Sequence, residues 1–82
     1  MESRQAATSL QIAQWITQEV RKSDGCQDFK ISGVLPLAEP GLDGCNWVEP
    51  TNKLTTAPLR VWMPAYSVAL AKARRKFILS EA

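Results

Sequence analysis

Two cysteines carry the most obvious chemistry in this sequence, and each ends an Asp-Gly-Cys triplet. A pair of thiols can form a redox couple or bind a metal. If the triplets precede the two strands of a hairpin, however, Cys26 and Cys45 lie roughly 20 Å apart, at about 3.3 Å of rise per residue. A disulfide requires Cα atoms within about 7 Å. The triplets therefore favour glycine-containing turns followed by small buried thiols, and a thiol-dependent role for Cys26 or Cys45 is the alternative.

The other residue types that usually carry catalysis are absent or scattered. The chain has no histidine, which removes the commonest general base and the commonest metal ligand. Two cysteines cannot supply the four ligands of a structural zinc site, and no glycine-rich phosphate loop occurs. The carboxylates between residues 24 and 49 are scattered in turns and at strand ends: Asp24, Asp28, Glu39, Asp43 and Glu49. We therefore predict a protein that is not an enzyme, with no catalytic residue, no metal and no cofactor.

Positive charge is concentrated near the end of the sequence, in the run Lys72-Ala73-Arg74-Arg75-Lys76. Residues 1–52 hold four Lys or Arg against seven Asp or Glu (−3), and residues 53–82 hold six against one (+5). Such a cluster can neutralise phosphates and bind RNA or DNA. It is equally typical of the solvated end of a helix, where cations favour the helix dipole. Nucleic-acid binding through Lys72, Arg74, Arg75 and Lys76 is therefore one functional hypothesis.

Three tryptophans are many for 82 residues, and they divide into core and surface candidates. Trp47 ends the run Gly44-Cys45-Asn46-Trp47, and burial of a Trp is worth much to a small core. The alternative makes Asn46 and Trp47 a recognition pair. Trp62, next but one to Arg60, is a candidate binding anchor or a stacking platform for a base. The competing interpretation of Trp62 is a residue at the rim of the core.

Periodic apolar residues predict two helices. The first spans residues 8–22, where Ile12, Ile16 and Val20 recur at a spacing of four. The second spans residues 65–79, with Pro64 suited to its first turn. The predicted helices thus account for both ends of the fold.

Alternating residues predict strands over 29–35 and 45–49, joined as an antiparallel hairpin. Residues 59–63, between Pro58 and Pro64, are a candidate third strand with Leu59, Val61 and Met63 facing inwards. A loop, or the lead into the second helix, is the alternative for so short a segment. The expected fold is α+β, with two helices on one face of a short two- or three-stranded antiparallel sheet, in the order helix, strand, strand, optional strand, helix.

One face of such a sheet would be covered and the other open. The predicted core consists of Ile12, Ile16, Val20, Phe29, Ile31, Leu35, Trp47, Tyr66, Leu70, Ala73 and Phe77. The open face would carry Lys30, Ser32, Val34, Asn46, Val48 and, with a third strand, Arg60 and Trp62. Because open sheets are often completed by a partner, the first functional hypothesis is a protein-interaction module that binds another protein or forms a homodimer.

The length predicts a single domain, 1–82, with flexible ends at residues 1–7 and 80–82. The apolar runs are too short to cross a bilayer, so no membrane partner is expected. The first residues show no apolar signal segment, and the expected location is cytoplasmic.

The combination of Gly25-Cys26 with Phe29, the run Asp43-Gly44-Cys45-Asn46-Trp47, and Ala73-Arg74 with Phe77 resembles a group of small uncharacterised bacterial proteins. The resemblance covers roughly residues 12–79, although the segment 51–64 departs from it. It implies a shared fold and gives no information about activity or substrate. The element order with a third strand is also similar to that of double-stranded-RNA-binding domains. Those domains place lysines at the start of their second helix, where this chain has Pro64-Ala65-Tyr66-Ser67, so the departure weakens an RNA interpretation.

Overall fold

Helices and very short strands alternate along the chain in the computed structural model, which describes residues 4–41, 44–50 and 53–80. The elements are β1 (Gln5–Ala7), α1 (Ser9–Arg21), β2 (Leu35–Pro36), β3 (Trp47–Val48), α2 (Leu59–Lys76) and β4 (Phe77–Leu79). Strands β2 and β3 pair antiparallel, whereas β1 and β4 pair parallel. The α+β class is confirmed, but the predicted order and the wholly antiparallel sheet are wrong.

Helix α1 begins with a capping box, which explains why it starts at Ser9. The backbone N–H of Gln11 donates to the Thr8 hydroxyl at 3.1 Å, and the Gln11 side chain accepts from the Thr8 N–H at 2.9 Å. These bonds satisfy donors that have no partner inside the first turn. Ile12, Ile16 and Val20 are fully buried, so both the predicted helix and its apolar face are confirmed.

The predicted strand 29–35 is wrong over most of its length, because side chains of α1 take the backbone hydrogen bonds of this segment. The Arg21 Nε donates to the Phe29 carbonyl at 2.8 Å, and the Ile31 N–H donates to Thr17 Oγ1 at 3.3 Å. Ser9 Oγ accepts from the Val34 N–H at 2.8 Å and donates to its carbonyl at 3.0 Å. Residues 29–34 therefore run antiparallel to α1 as an extended segment bonded to a helix.

Only the loop end of the predicted hairpin forms a backbone ladder. Leu35 pairs with Val48 and Pro36 with Trp47, and Lys30 makes an isolated bridge to Leu54. The alternation breaks at the end of the extended segment, where Val34 is buried and Leu35 is 47% exposed. Leu35 was therefore wrongly assigned to the core, and Val34 wrongly to an open face.

The remaining predicted core is largely confirmed. Buried as expected are Ile12, Ile16, Val20, Phe29, Ile31, Trp47, Tyr66, Ala73 and Phe77. Leu70 is only partly buried and packs against this cluster. The core also includes residues outside the predicted core list: Ala7, Ala13, Val34, Ala69 and Leu79.

Helix α2 begins at Leu59, so the predicted third strand at 59–63 is wrong. The N–H groups of Val61 and Trp62 donate to the Pro58 carbonyl, at 2.9 and 3.2 Å. Pro64 lies inside the helix, where its ring removes one backbone donor. Without a third strand, the order no longer matches that of double-stranded-RNA-binding domains.

The two ends of the described chain pair with each other. Residues Gln5–Ala7, expected to be flexible, form β1 opposite β4, and the Ser80 N–H donates to the Ala7 carbonyl at 3.0 Å. The second helix ends at Lys76 because Phe77 adopts an extended conformation. The rest of the two segments predicted to be flexible, residues 1–3 and 81–82, lies outside the described residues.

Replacing Gly33 by Ala is expected to lower the free energy of unfolding by about 1–3 kcal/mol. A Cβ at this position would lie 2.7 Å from Ser9 Oγ, which cannot move without breaking both bonds to Val34. That cost outweighs the ~0.4–1 kcal/mol that Gly→Ala gains by restricting the unfolded chain. Urea denaturation followed by circular dichroism measures the change, with exposed Ser32→Ala as the matched control. Equal stability of the two variants would contradict this account of the segment.

Candidate functional site

Both cysteines remain thiols and both are fully buried. Each follows a glycine with positive φ, 83° at Gly25 and 80° at Gly44, a conformation that suits glycine because a Cβ would be strained there. Cys26 Sγ lies 3.8 Å from the Val61 carbonyl oxygen, and Cys45 Sγ lies 3.3 Å from that of Trp47. This is the arrangement that the favoured interpretation of the triplets predicts, except that Asp43 lies outside the described residues.

Side chains of the run Gly44-Cys45-Asn46-Trp47 form hydrogen bonds with the backbone of strand β4. The Asn46 amide accepts from the Leu79 N–H at 2.8 Å and donates to the Leu79 carbonyl at 2.9 Å, as a neighbouring strand would. Trp47 is fully buried and its Nε1 donates to the Phe77 carbonyl at 3.2 Å. The polar groups of both side chains are used inside the fold, so this run is structural and not a recognition pair.

Three of the five described carboxylates bond to a loop or to a lysine: Asp28, Glu19 and Glu49. The Thr55 hydroxyl and the Thr56 N–H each donate to Asp28 at 2.7 Å, and the Thr56 hydroxyl also donates to it. These bonds, that of the Thr56 hydroxyl foremost, hold the pKa of Asp28 at about 2, below its ordinary value of 3.8. Asp28 therefore fixes the loop that leads into α2.

Stability is expected to fall as the pH drops through the range between the two Asp28 pKa values, from about 4 towards 2. The folded pKa is depressed, so the contribution is present above the unfolded value and is lost as the carboxylate is protonated. In acid denaturation series, Asp28→Asn, which cannot titrate, should lose less stability over this window than the parent protein. Parallel pH profiles for the two proteins would contradict the assignment.

One polar cluster sits against the core at Tyr66. The phenol is buried, and no described atom forms a hydrogen bond with its hydroxyl. Burial first, and then the Glu49 carboxylate, raise the pKa of Tyr66 above its ordinary value. Lys53 Nζ pairs with Glu49 at 3.2 Å and lies 5.3 Å from the centre of the Tyr66 ring. A phenol kept protonated in this way is not suited to act as a base near neutral pH.

Trp62 and Arg60 lie on different sides of α2. Trp62 packs on Phe29 with ring centroids 5.7 Å apart and meets Tyr66 edge-on at 5.8 Å. Arg60 is exposed and, two residues earlier on a helix, points away from Trp62. This placement supports the interpretation of Trp62 as a residue at the rim of the core.

The basic cluster divides into two groups on α2. Arg74 is partly buried, and its carbonyl accepts from Arg4 Nε at 2.9 Å. Lys72, Arg75 and Lys76 are exposed and form no ion pair with a described carboxylate. The ion pairs among described residues are Lys22–Glu19 and Lys53–Glu49. Three of the four predicted cations thus have no described carboxylate partner, although Lys76 Nζ lies 5.6 Å from the centre of the Phe77 ring.

Apolar residues precede these three cations on the same side of α2. Val68 is 57% exposed and lies four residues before Lys72, a spacing that places both on one helix face. We call this side the α2 stripe, and it consists of Val61, Pro64, Ala65, Val68, Lys72, Arg75 and Lys76. Helix α2 contains no acidic residue. The α2 stripe is therefore apolar in its first half and purely cationic in its second.

Sequence reasoning found the cations and missed the apolar half of the α2 stripe. The pattern of residues 59–63 predicts a candidate strand, which would place Val61 on a sheet and Pro64 at a helix start. The signal that would have found the stripe is the spacing Val61, Ala65, Val68, which follows the same helical period as the cations. Its detection required a helix that continues through Pro64.

Among residues 4–41, 44–50 and 53–80, no cluster of three or more Cys, Asp or Glu side chains is arranged to hold a metal. No helix in the same ranges is long and apolar enough to cross a membrane. Comparisons of the chain with protein-family models, curated protein sequences and solved structures found no significant match.

Proposed function

We propose that this protein is a non-catalytic protein-interaction module that docks a partner on the α2 stripe. The observation that carries the proposal is the order of exposed apolar and cationic side chains along one side of α2. An exposed Val68 is followed by Lys72, Arg75 and Lys76, none of which pairs with a described carboxylate.

The chemistry of the α2 stripe defines the partner that would fit it. Apolar surface gains free energy on burial, roughly 25 cal/mol per Å², which favours a partner with apolar side chains. Complementary charge steers association and selects against wrong partners. A partner surface that combines apolar and acidic side chains satisfies both halves of the stripe.

A second copy of this chain is a poorer complement than a different protein. Glu19 and Glu49 are in ion pairs, and Asp28 accepts three hydrogen bonds. Of the carboxylates the structure describes, only Asp24 and Glu39 are exposed without such contacts. Among the described residues, a second copy therefore offers two such carboxylates for three cations, and we propose a heterologous acidic partner that can match all three.

Nucleic-acid binding through the same cations is the second candidate function. Lys72, Arg75 and Lys76 are exposed and suited to contact phosphates. Trp62, the proposed base-stacking platform, packs against Phe29 and Tyr66 instead. An RNA interface would thus depend on phosphate contacts alone, and the apolar half of the α2 stripe would have no role in it.

Fluorescence anisotropy with two labelled probes distinguishes these functions. One probe is a helical peptide of Leu and Glu residues, and the other is an RNA duplex of equal charge. We expect the peptide to bind more tightly, and we expect Lys72→Ala/Arg75→Ala/Lys76→Ala and Val68→Ser each to weaken it about tenfold, or ~1.4 kcal/mol.

The matched control for Val68→Ser is Met63→Ser. Met63 is 41% exposed on the same helix but lies outside the α2 stripe, so its replacement should leave the peptide affinity unchanged. Tighter binding of RNA than of peptide, with no effect of Val68→Ser on either probe, would overturn the protein-interaction proposal in favour of nucleic-acid binding.

A further inference from the structure

A groove of about 490 Å³ runs beside the α2 stripe, between α1 and α2. Its α2 wall consists of Val61, Ala65, Val68 and Ala69, with Lys72 at one end. Its α1 wall is formed by Glu19 in the last turn of that helix and by Lys22 and Ser23 directly after it. Because Ala65 and Ala69 are small, the two helices leave a recess here with an apolar floor.

The charges around this groove do not cancel. Glu19, its one carboxylate, is bonded to Lys22 at 2.6 Å. Lys72 has no described carboxylate partner, and Arg75 and Lys76 follow it within the next turn. The groove thus has an apolar wall on α2 that faces a polar wall on α1, and it is positively charged towards the end of α2. This polarity specifies a ligand in which apolar and acidic groups are separated along one axis.

We infer that this groove binds an acidic amphipathic helix of a partner protein, with apolar side chains of that helix inserted over Ala65 and its carboxylates at Lys72 and Arg75. The inference rests on the proposed function and names the partner class for the same surface. Insertion of an amphipathic helix into a groove between helices is an established recognition mode. No other helix in the described residues covers this groove.

The distance between the apolar and cationic halves of the α2 stripe sets the spacing of the partner's apolar and acidic side chains. Ala65 precedes Lys72 by seven residues and Arg75 by ten, which corresponds to about 10–15 Å along α2 at 1.5 Å per residue. A partner helix that lies along α2 must therefore separate its apolar anchors from its carboxylates by roughly two to three turns. Carboxylates in the same turn as the anchors would lie over the apolar floor and away from the cations.

Two labelled peptides of identical composition test this inference by anisotropy titration. Both carry two Leu residues one turn apart. In the spaced peptide the Glu residues lie two to three turns from the Leu residues, and in the other peptide they lie in the same turn. We expect the spaced peptide to bind the parent protein at least tenfold more tightly. Equal affinity of the two peptides, or no binding of the spaced one, would overturn the inference.

Two variants separate the groove from the charges. Ala65→Phe fills the recess and Val68→Ser removes an exposed part of its wall, so both should weaken the spaced peptide about tenfold, with Met63→Ser as control. Circular dichroism establishes whether each variant folds. Because Val68 is exposed, Val68→Ser should keep the fold even if Ala65→Phe does not.

The failure of the inference and the failure of the proposed function give different results. Loss of peptide binding in Lys72→Ala/Arg75→Ala/Lys76→Ala with full binding in both groove variants would overturn the groove while leaving the α2 stripe as a charged docking surface. Peptide binding that survives the triple replacement would overturn the proposed function and the inference together.

Discussion

Replacement of Trp47 by Ala is expected to lower the free energy of unfolding by about 3–5 kcal/mol. Trp47 is the largest fully buried side chain, and its Nε1 also donates to the Phe77 carbonyl. Small domains are stable by only about 5–15 kcal/mol, so this one replacement removes a large share of the total. Urea denaturation followed by far-ultraviolet circular dichroism measures the loss.

The matched control for Trp47 is Leu35→Ala, because Leu35 is the predicted core residue that the structure exposes. Its replacement should change stability by less than about 0.5 kcal/mol, as surface substitutions usually do. A large loss at Leu35 and a small one at Trp47 would contradict the placement of strands β2 and β3.

Replacement of Asn46 by Ala is expected to cost about 2–3 kcal/mol and to loosen strand β4. Both backbone groups of Leu79 lose their partner at once, and each buried group left unpaired costs roughly 1–3 kcal/mol. Because β4 is the strand on which β1 pairs, the effect should extend to Gln5–Ala7. Native-state hydrogen exchange should show faster exchange of the Leu79 and Ser80 amides.

Gln14→Ala is the control for Asn46, since Gln14 is an exposed amide on α1. That variant should keep the exchange rates of β4 unchanged. Unaltered protection of Leu79 in Asn46→Ala would show that the amide is not what holds this strand, and the structural account of the Gly44–Trp47 run would be wrong.

The helices were the part of the fold most accessible from sequence. In α1, the four-residue recurrence of Ile12, Ile16 and Val20 and the cap at Thr8 coincide, so local and tertiary preferences agree. In α2, the same reasoning found the buried side at Tyr66 and Ala73 but placed the start six residues late. Pro64 was the cause, since a proline is more typical of a first turn than of a position inside a helix.

The strands were less accessible because their hydrogen-bond partners are side chains. Alternation over residues 29–35 correctly indicates an extended backbone, but periodicity does not reveal what that backbone pairs with. Here Ser9, Thr17 and Arg21 of α1 take the bonds that a neighbouring strand would otherwise make. The parallel pairing of β1 with β4 is not predicted by any local pattern, because the paired residues are 72 positions apart in the sequence.

The candidate surface was predicted in part. The charge excess of the last third identified Lys72, Arg75 and Lys76, and the structure leaves them exposed. The apolar half of the α2 stripe and the groove beside it depend on how α1 packs against α2, which the sequence pattern does not contain. The described residues do not form the predicted open sheet face, and the proposed interaction module depends on a helix surface instead.

The most direct test of the α2 stripe is a nuclear magnetic resonance titration of the isotope-labelled protein with the spaced Leu/Glu peptide. We predict the largest amide shift changes at Val61, Ala65, Val68 and Lys72, with smaller ones at Ser23 across the groove. Gln14 on the exposed side of α1 and Met63 outside the stripe should not shift. Changes centred on α1 or on strands β2 and β3, with none along the α2 stripe, would contradict the account.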